Sequence, residues 1–249
     1  MKSALRMLGL LLLAFLALQL YFVLRIAAMA VVAPESTTFE RSEAWRIVSD
    51  KGHLPWSQQW VPYAQISDNL KRAVIASEDD GFSTHGGVDW DAIQKAWDKN
   101  AKAEQRAANR KPDASLAVAI AKPTKPPKIV GGSTITQQLA KNLFLAGERT
   151  LLRKGQELVV TLLLEQFLGK ERILEIYLNH VEWGEGVFGA EAAAQHYFRK
   201  SASKLNAFEA ARLAVMLPRP RYFEKLPNSA YVAGRAAVIA ARMGDAQLP

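Results

Sequence analysis

Three short clusters contain residue types suited to chemistry on a phosphorylated sugar. Residues 78–87 begin with acidic side chains and include an aromatic residue and a histidine, and residues 131–142 begin with two glycines and continue with hydroxyl, amide and cationic groups. Residues 153–157 hold two cations and a glutamate. Carboxylates act as general acids and bases, whereas cations stabilise the charge on a departing phosphate. The clusters together predict transfer of a sugar from a pyrophosphate.

In the first cluster, Glu78, Phe82 and His85 are spaced at i, i+4 and i+7, with Asp79 beside the first. Three glycines in the same segment argue against a long helix, so we expect a turn that lines a cleft. A carboxyl group beside an aromatic wall can have its pKa raised into the range of a general base. We interpret His85 as a structural hydrogen-bonding partner, because the four histidines have no metal-site spacing.

In the second cluster, the glycine pair at 131–132 leads into a predicted helix whose free N–H groups would favour an anion. Thr134, Gln138 and Lys141 are spaced at i, i+4 and i+7 and form one polar face, while the apolar positions 135, 139 and 143 form another. An ordinary amphipathic helix with a good cap remains open as an alternative.

In the third cluster, Arg153, Lys154 and Glu157 can project to one side of a helix. A surface ion pair is the alternative, and such pairs contribute little to stability. Two cations at a helix start oppose the helix dipole, and an anionic ligand would offset that cost. The placement therefore favours a binding role.

The composition predicts one extramembrane domain and an anchor, because 249 residues with 49% hydrophobic content can bury one sizeable core. The net charge is +8, and residues 99–128 hold six Lys and two Arg against two acidic residues. No nucleic-acid motif accompanies this charge, so we expect no nucleic-acid partner and assign the charge to anionic lipid headgroups. The lack of cysteine excludes disulfides and thiolate metal sites.

Residues 7–24 are apolar apart from Gln19 and are about long enough to cross a hydrocarbon core of about 30 Å. Lys2 and Arg6 precede them, which favours a cytoplasmic N-terminus. A cleaved signal peptide ending near residue 30 is the alternative, but the apolar stretch exceeds the usual length for one. We therefore predict an anchor over residues 1–33 and an extracytoplasmic domain over 34–249.

Along that domain, strand-like alternation is scarce and helix signals are dense, which predicts a mainly α fold. We expect a linker and entry segment over 34–66, a helix capped by Ser67 that ends at Glu78, a helix over 88–97 and a basic insertion at about 99–128. Further helices are predicted over 133–144, 153–167, 170–178, 187–197, 206–216 and 230–243.

The three clusters resemble the signature motifs of the peptidoglycan glycosyltransferases. This module of class A penicillin-binding proteins also occurs alone, as a monofunctional biosynthetic transglycosylase. Residues 170–179 and 189–198 agree as well, and 235–239 agree more weakly. The resemblance spans about 45–245 and implies a lysozyme-like fold with a membrane-contacting jaw. The segment between the first two motifs is longer and more basic than is typical.

By this resemblance, Glu78 is the catalytic base that takes a proton from the 4-hydroxyl of the N-acetylglucosamine of lipid II. That oxygen attacks the growing glycan linked to undecaprenyl pyrophosphate, with inversion and formation of a β-1,4 bond. Glu157 is the second carboxylate, beside the leaving group, and acts through neighbouring cations or a divalent ion, Mg or Mn; no cofactor is obligatory. The substrate-binding positions are Asp79, Phe82, His85, Thr134, Gln138, Lys141, Asn142, Arg153 and Lys154.

The resemblance also implies a single-pass protein of the cytoplasmic (inner) membrane with its catalytic domain in the periplasm. The expected partners are lipid II, the lipid-linked glycan, membrane lipids and cell-wall synthesis proteins. We expect no transpeptidase domain, because only 45 residues follow Lys204 of a chance Ser-x-x-Lys match. The alternatives are a lysozyme-like lytic enzyme that acts on peptidoglycan and a non-catalytic membrane-anchored scaffold.

Overall fold

Helices account for most of the fold, as the scarcity of alternating segments predicted. The computed structural model describes residues 2–108, 132–145 and 150–249, with the backbone alone for 106–108. The helices in these ranges are α1 (Lys2–Ala28), α2 (Thr38–Lys51), α3 (Asp68–Glu78), α4 (Trp90–Ala108), α5 (Ile135–Phe144), α6 (Leu151–Phe167), α7 (Lys170–His180), α8 (Ala190–Phe198), α9 (Ala207–Met216), α10 (Pro220–Phe223) and α11 (Ala230–Arg242). Short 3-10 helices lie at Tyr63–Gln65 and Ala202–Lys204.

Capping residues explain why several helices begin within two residues of their predicted starts. Ser67 accepts the backbone N–H of Leu70 and starts α3. Thr134 and Asn206 form capping boxes at the starts of α5 and α9. These side chains satisfy N–H groups that have no partner within the helix, so they fix the first turn.

The chain divides into two compact units, Met1–Gly87 with Thr134–Pro249, and Val88–Ser133. In the larger unit, α3 packs against α9 and α11, and α5 packs against α6 and α7. The smaller unit contains α4, on which Trp90 and Trp97 are exposed. Residues 99–108 of the predicted basic insertion extend α4, and residues 109–128 lie outside the described residues.

Residues 34–66 are not simply a linker, and that prediction was wrong, because α2 occupies Thr38–Lys51. Thr37 and Glu40 form a capping box at its start. The buried positions of α2 are Glu40, Glu43 and Ile47, two of which are charged. The Glu40 carboxylate lies 2.7 Å from Nδ1 of His180 on α7. A helix that packs through charged groups lacks the apolar period that identifies helices in a sequence.

A small sheet also replaces part of a predicted helix. Strands β1 (Ser57–Gln58), β2 (Glu182–Gly184) and β3 (Val187–Phe188) form the order β1-β3-β2, with β1 parallel and β2 antiparallel to β3. The predicted helix over 187–197 instead begins at Ala190. Gly189 has φ of 82°, and a Cβ there would lie 2.7 Å from the Asn179 carbonyl oxygen. This left-handed residue stops the helix from extending into β3.

Helix α1 runs past Arg25 to Ala28 and is long and apolar enough to cross a membrane. Its buried residues are Phe22 and Ile26. The side-chain amide of Gln19 exchanges two hydrogen bonds with that of Gln156 on α6, at 3.2 and 3.3 Å. The one polar residue of the predicted span is therefore paired with the helix that carries the third cluster. Most of the remaining apolar surface of α1 is exposed.

Candidate active site

Glu78 is the last residue of α3, and the buried apolar face of that helix fixes its position. The carboxyl group is half-buried, and Oε2 accepts a hydrogen bond of 3.0 Å from Nε2 of Gln138. Burial raises the pKa of Glu78, the hydrogen bond from Gln138 lowers it, and the negative charge of Asp79 raises it further. A half-buried carboxylate with a raised pKa suits a general base.

Asp79 and His85 hold the turn that follows Glu78. Oδ1 of Asp79 lies 2.8 Å from Nε2 of His85, and Oδ2 accepts the backbone N–H of Ile135 at 2.9 Å. Nδ1 of His85 accepts the N–H of Gly87 at 3.1 Å, which assigns the ring proton shared with Asp79 to Nε2. His85 thus makes the hydrogen bonds expected of a structural partner. Substrate contacts by both side chains stay predictions.

Thr134 joins the end of the same turn to the start of α5. Its hydroxyl donates to the carbonyl of Gly87 at 2.6 Å and accepts the N–H of Gln137 at 3.1 Å. Gly87 has φ of 88°, and a Cβ there would lie 2.8 Å from side-chain atoms of both Glu165 and Thr161. Only glycine fits this conformation and this space. The two hydrogen bonds of the Thr134 hydroxyl thus hold the turn and the helix start together, and its contact with substrate stays a prediction.

Phe82 lies inside the turn, and its ring is fully buried. Nζ of Lys170 lies 4.6 Å from the ring centroid and pairs with Glu165 at 2.8 Å. Glu165 also accepts a hydrogen bond of 2.6 Å from Thr136. The ring therefore shapes the turn from within, and a direct contact with substrate would require the turn to open. Sequence reasoning assigned no role to Lys170 or Glu165.

Glu157 lies on α6, about one turn from Arg153 and Lys154, and each of its two carboxylate oxygens pairs with one of these cations. Nη1 of Arg153 donates to Oε2 at 2.8 Å, and the ammonium of Lys154 forms a close ion pair with Oε1. Only 3% of Glu157 is exposed, so the alternative of a surface ion pair does not describe it. Nε of Arg153 is buried and has no hydrogen-bond partner among the described residues.

Lys141 extends this group of charges from α5. It is exposed, yet the protein atoms around its ammonium remove part of its hydration and lower its pKa. The charge of Glu157 opposes this shift, whereas Arg153 and Lys154 add to it. Three cations around one carboxylate leave a net positive charge that suits an anion. Asn142 follows Lys141 on α5 and is half-buried, and no hydrogen bond of its side chain is present in the described part of the chain.

The described side chains around Glu157 do not form a metal cage. Both of its oxygens are held by nitrogen donors, and the described residues contain no group of three or more His, Cys, Asp or Glu that could hold an ion. Mg²⁺ favours carboxylate and water oxygens in an octahedral arrangement, which one occupied carboxylate does not supply. The divalent ion predicted at this position stays a prediction.

Tyr177 belongs to the site, although sequence reasoning gave it no role. Its hydroxyl donates to Oε1 of Gln138 at 3.1 Å, and the residue is fully buried on α7. Gln138 therefore lies between Tyr177 and Glu78 and contacts both. The residue forms part of the 170–179 stretch, whose buried face gave no hint of a polar contact across to α5.

The helical domain has a lysozyme-like fold, and the class of protein that this fold defines is that of enzymes that act at glycosidic bonds. The chain belongs to the transglycosylase family, which it matches over residues 49–109 and 112–244. This membership confirms the predicted fold class and enzyme class.

Curated relatives cover almost the whole chain. It is 54% identical over 236 residues to the biosynthetic peptidoglycan transglycosylase of Burkholderia thailandensis, a match that covers 95% of this chain and 84% of the relative. It is 54% identical to the protein of the same name in Burkholderia ambifaria and 53% identical to that in Burkholderia vietnamiensis, with 95% of this chain and 87% of each relative covered.

Proposed function

We propose that this protein polymerises the glycan strands of peptidoglycan from lipid II and releases undecaprenyl pyrophosphate. The observation that carries the proposal is the contrast between the two carboxylates. Glu78 receives one hydrogen bond from a neutral amide and has a raised pKa, whereas Glu157 is buried between Arg153 and Lys154. The name shared by the curated relatives supports the same reaction.

In the proposed reaction, Glu78 accepts the proton of the 4-hydroxyl of the N-acetylglucosamine of lipid II. The freed oxygen attacks the anomeric carbon of the growing glycan and forms the new glycosidic bond. The bond from that carbon to the pyrophosphate breaks with inversion. The raised pKa of Glu78 supports this role, because a base with a higher pKa accepts a proton more readily, provided that it is ionised at the working pH.

The departing pyrophosphate develops negative charge, which the cations around Glu157 are suited to stabilise. Lys141, Arg153 and Lys154 supply three cations, and Glu157 holds two of them in fixed positions. Nε of Arg153 is a buried donor without a hydrogen-bond partner among the described residues, and in this proposal it donates to a phosphate oxygen. Cations fixed before the reaction lower the barrier because they need no reorganisation as the charge appears. Glu157 therefore acts by positioning cations.

The lipid-linked substrates imply a membrane location. Helix α1 provides an apolar segment of the required length, and its positively charged start supports a cytoplasmic N-terminus with the domain outside the inner membrane. Contacts with membrane lipids through the jaw, and with other cell-wall synthesis proteins, belong to the same proposal.

The test incubates purified full-length protein with lipid II and separates the products by size. We expect long glycan strands from the wild type, and no strands from Glu78→Gln, which should remain folded and bind lipid II. Lipid II polymerisation at the wild-type rate by Glu78→Gln would refute the base assignment. Shortening of preformed peptidoglycan without any polymer would instead identify a lytic enzyme.

A further inference from the structure

We infer that Tyr177 is a positioning residue for the reaction, which acts by fixing the orientation of the Gln138 side-chain amide against Glu78. The inference rests on the proposed role of Glu78 as the base. It concerns a relay of two hydrogen bonds that joins α7 to α5 and α5 to the end of α3.

The relay has a direction. The phenol of Tyr177 donates to the carbonyl oxygen of the Gln138 amide at 3.1 Å, and the amide nitrogen of Gln138 donates to Oε2 of Glu78 at 3.0 Å. An amide has a donor end and an acceptor end, so a rotation by half a turn would place its oxygen against the carboxylate of Glu78. Two acceptors would then face each other, and the ionised carboxylate would lose its hydrogen bond.

Burial of Tyr177 strengthens its effect on the orientation of the Gln138 amide. Tyr177 is fully buried, and its pKa is raised well above the usual value by burial and by the charges of Glu78 and Asp79. The phenol therefore keeps its proton across the working pH range and remains a donor. Gln138 is half-buried, and loss of the Tyr177 donor would remove the hydrogen bond that its amide oxygen receives from a described residue. Donation by Tyr177 thus favours the amide orientation that Glu78 requires.

The groups that act electrostatically on Glu78 are few. Asp79 follows it in the turn and raises its pKa, whereas the hydrogen bond from Gln138 on α5 lowers it. Tyr177 faces the same carboxylate from α7 as an uncharged phenol. From α9 and α11, which pack on α3, the charged contact in the described residues is Arg242 with Asp80, at 3.5 Å and exposed.

The test compares the pH profile of kcat/KM for wild type, Tyr177→Phe, Gln138→Met and the double variant in lipid II polymerisation. The acidic midpoint is the pH of half-maximal kcat/KM on the acidic side of the profile, where Glu78 becomes ionised. Loss of the hydrogen bond to ionised Glu78 should raise the pKa of this carboxyl and so move the acidic midpoint to higher pH, by roughly half a pH unit or more. Tyr177→Phe should produce part of the shift seen in Gln138→Met. The acidic midpoint of the double variant should equal that of Gln138→Met, because Tyr177 acts on Glu78 through the side-chain amide of Gln138.

Two results would overturn the inference. One is that Tyr177→Phe leaves the acidic midpoint unchanged. The other is that Tyr177→Phe shifts the midpoint by the same amount in the Gln138→Met background as it does in the wild type. If Tyr177→Phe does not fold, 3-fluorotyrosine at position 177 keeps the packing and strengthens donation. The acidic midpoint should then move to lower pH, and a midpoint equal to that of the wild type would refute the inference.

The outcome is separable from that of the proposed function. Turnover by Glu78→Gln at the wild-type rate would remove the proposed base and this inference with it. An inactive Glu78→Gln combined with an unshifted profile for Tyr177→Phe would refute only the role of Tyr177.

Discussion

Asp79 receives the backbone N–H of Ile135 at 2.9 Å and so joins the turn beside the base to the first turn of α5. Its other oxygen lies 2.8 Å from Nε2 of His85, and the carboxylate is buried. Two chain segments separated by more than fifty residues are thereby held in register. Glu78 and Gln138 face each other because this contact fixes the segments that carry them.

Asp79→Asn should destabilise the protein and reduce polymerisation. The two carboxylate oxygens of Asp79 face two donors, Nε2 of His85 and the N–H of Ile135. Asparagine has one oxygen and one NH2 group in their place, so one of the two donors would lose its acceptor. The free energy of unfolding should fall by about 1–3 kcal/mol, measured by denaturant unfolding in detergent. Asp80→Asn is the matched control, since Asp80 is exposed and makes a weak ion pair with Arg242. Equal effects from the two variants would contradict the assignment.

Glu78→Gln should raise thermal stability at neutral pH. The folded state raises the pKa of this carboxyl above 4.5, the usual value, so ionisation costs stability as the pH rises from that value through the folded pKa. Glutamine does not ionise and escapes this cost. The melting temperature of the variant should exceed that of the wild type at pH 7, and the two should converge at low pH.

An equal difference in melting temperature at pH 4 and pH 7 would contradict the raised pKa of Glu78. Gln138→Met supplies a second check. Loss of its hydrogen bond should raise the pKa of Glu78 further, so its stability should fall more steeply with rising pH than that of the wild type.

Glu157→Gln should reduce turnover about 10²–10³-fold, because the cations at the leaving group would lose the carboxylate that positions them. The free energy of unfolding should also fall, by about 1–3 kcal/mol, since Arg153 would keep a largely buried charge without its partner. Polymerisation rates and denaturant unfolding measure the two effects.

Glu185→Gln is the matched control for this variant. Glu185 also pairs with one arginine and one lysine, Arg46 and Lys51, but its side chain is 27% exposed. Its replacement should cost less than about 1 kcal/mol and leave polymerisation at the wild-type rate. A similar loss of turnover in both variants would argue against a special role for Glu157.

Gln19→Leu should weaken the attachment of α1 to α6, because it removes both hydrogen bonds with Gln156. In a double-mutant cycle with Gln156→Leu, measured by unfolding in detergent, the coupling should be about 0.6 kcal/mol. Leucine at both positions replaces an amide pair with apolar contact, so the double variant should lose less than the sum of the singles. Additive losses would show that the pair does not couple the helices.

Removal of divalent cations with EDTA should leave measurable polymerisation, because lysine and arginine nitrogens already hold both oxygens of Glu157. The measurement is the initial rate with EDTA and after addition of Mg²⁺ or Mn²⁺. A complete loss of turnover that either ion restores would show that an ion is obligatory. Arg153→Gln, which lacks one cation, should respond more strongly to added Mg²⁺ than the wild type.

The helices that carry the site were predictable because each combines an apolar face with a capping residue. Helices α3, α5 and α9 begin directly after Ser67, Thr134 and Asn206, as their capping signals indicate. Helix α2 was missed because it packs through Glu40 and Glu43, and its capping box of Thr37 and Glu40 was the signal available. The strands were missed because two or three residues are too few to show alternation.

The sequence alone determined the chemical groups of the site and the helix faces that present them, because caps and periodic apolar residues act over a few neighbouring positions. It could not decide which polar groups pair across helices. These pairings depend on packing between distant segments. They are Asp79 with Ile135, Gln138 with both Glu78 and Tyr177, and Gln19 with Gln156. Those pairings arise only when the buried faces of α3, α5, α6 and α7 meet and bring the polar groups within hydrogen-bonding distance.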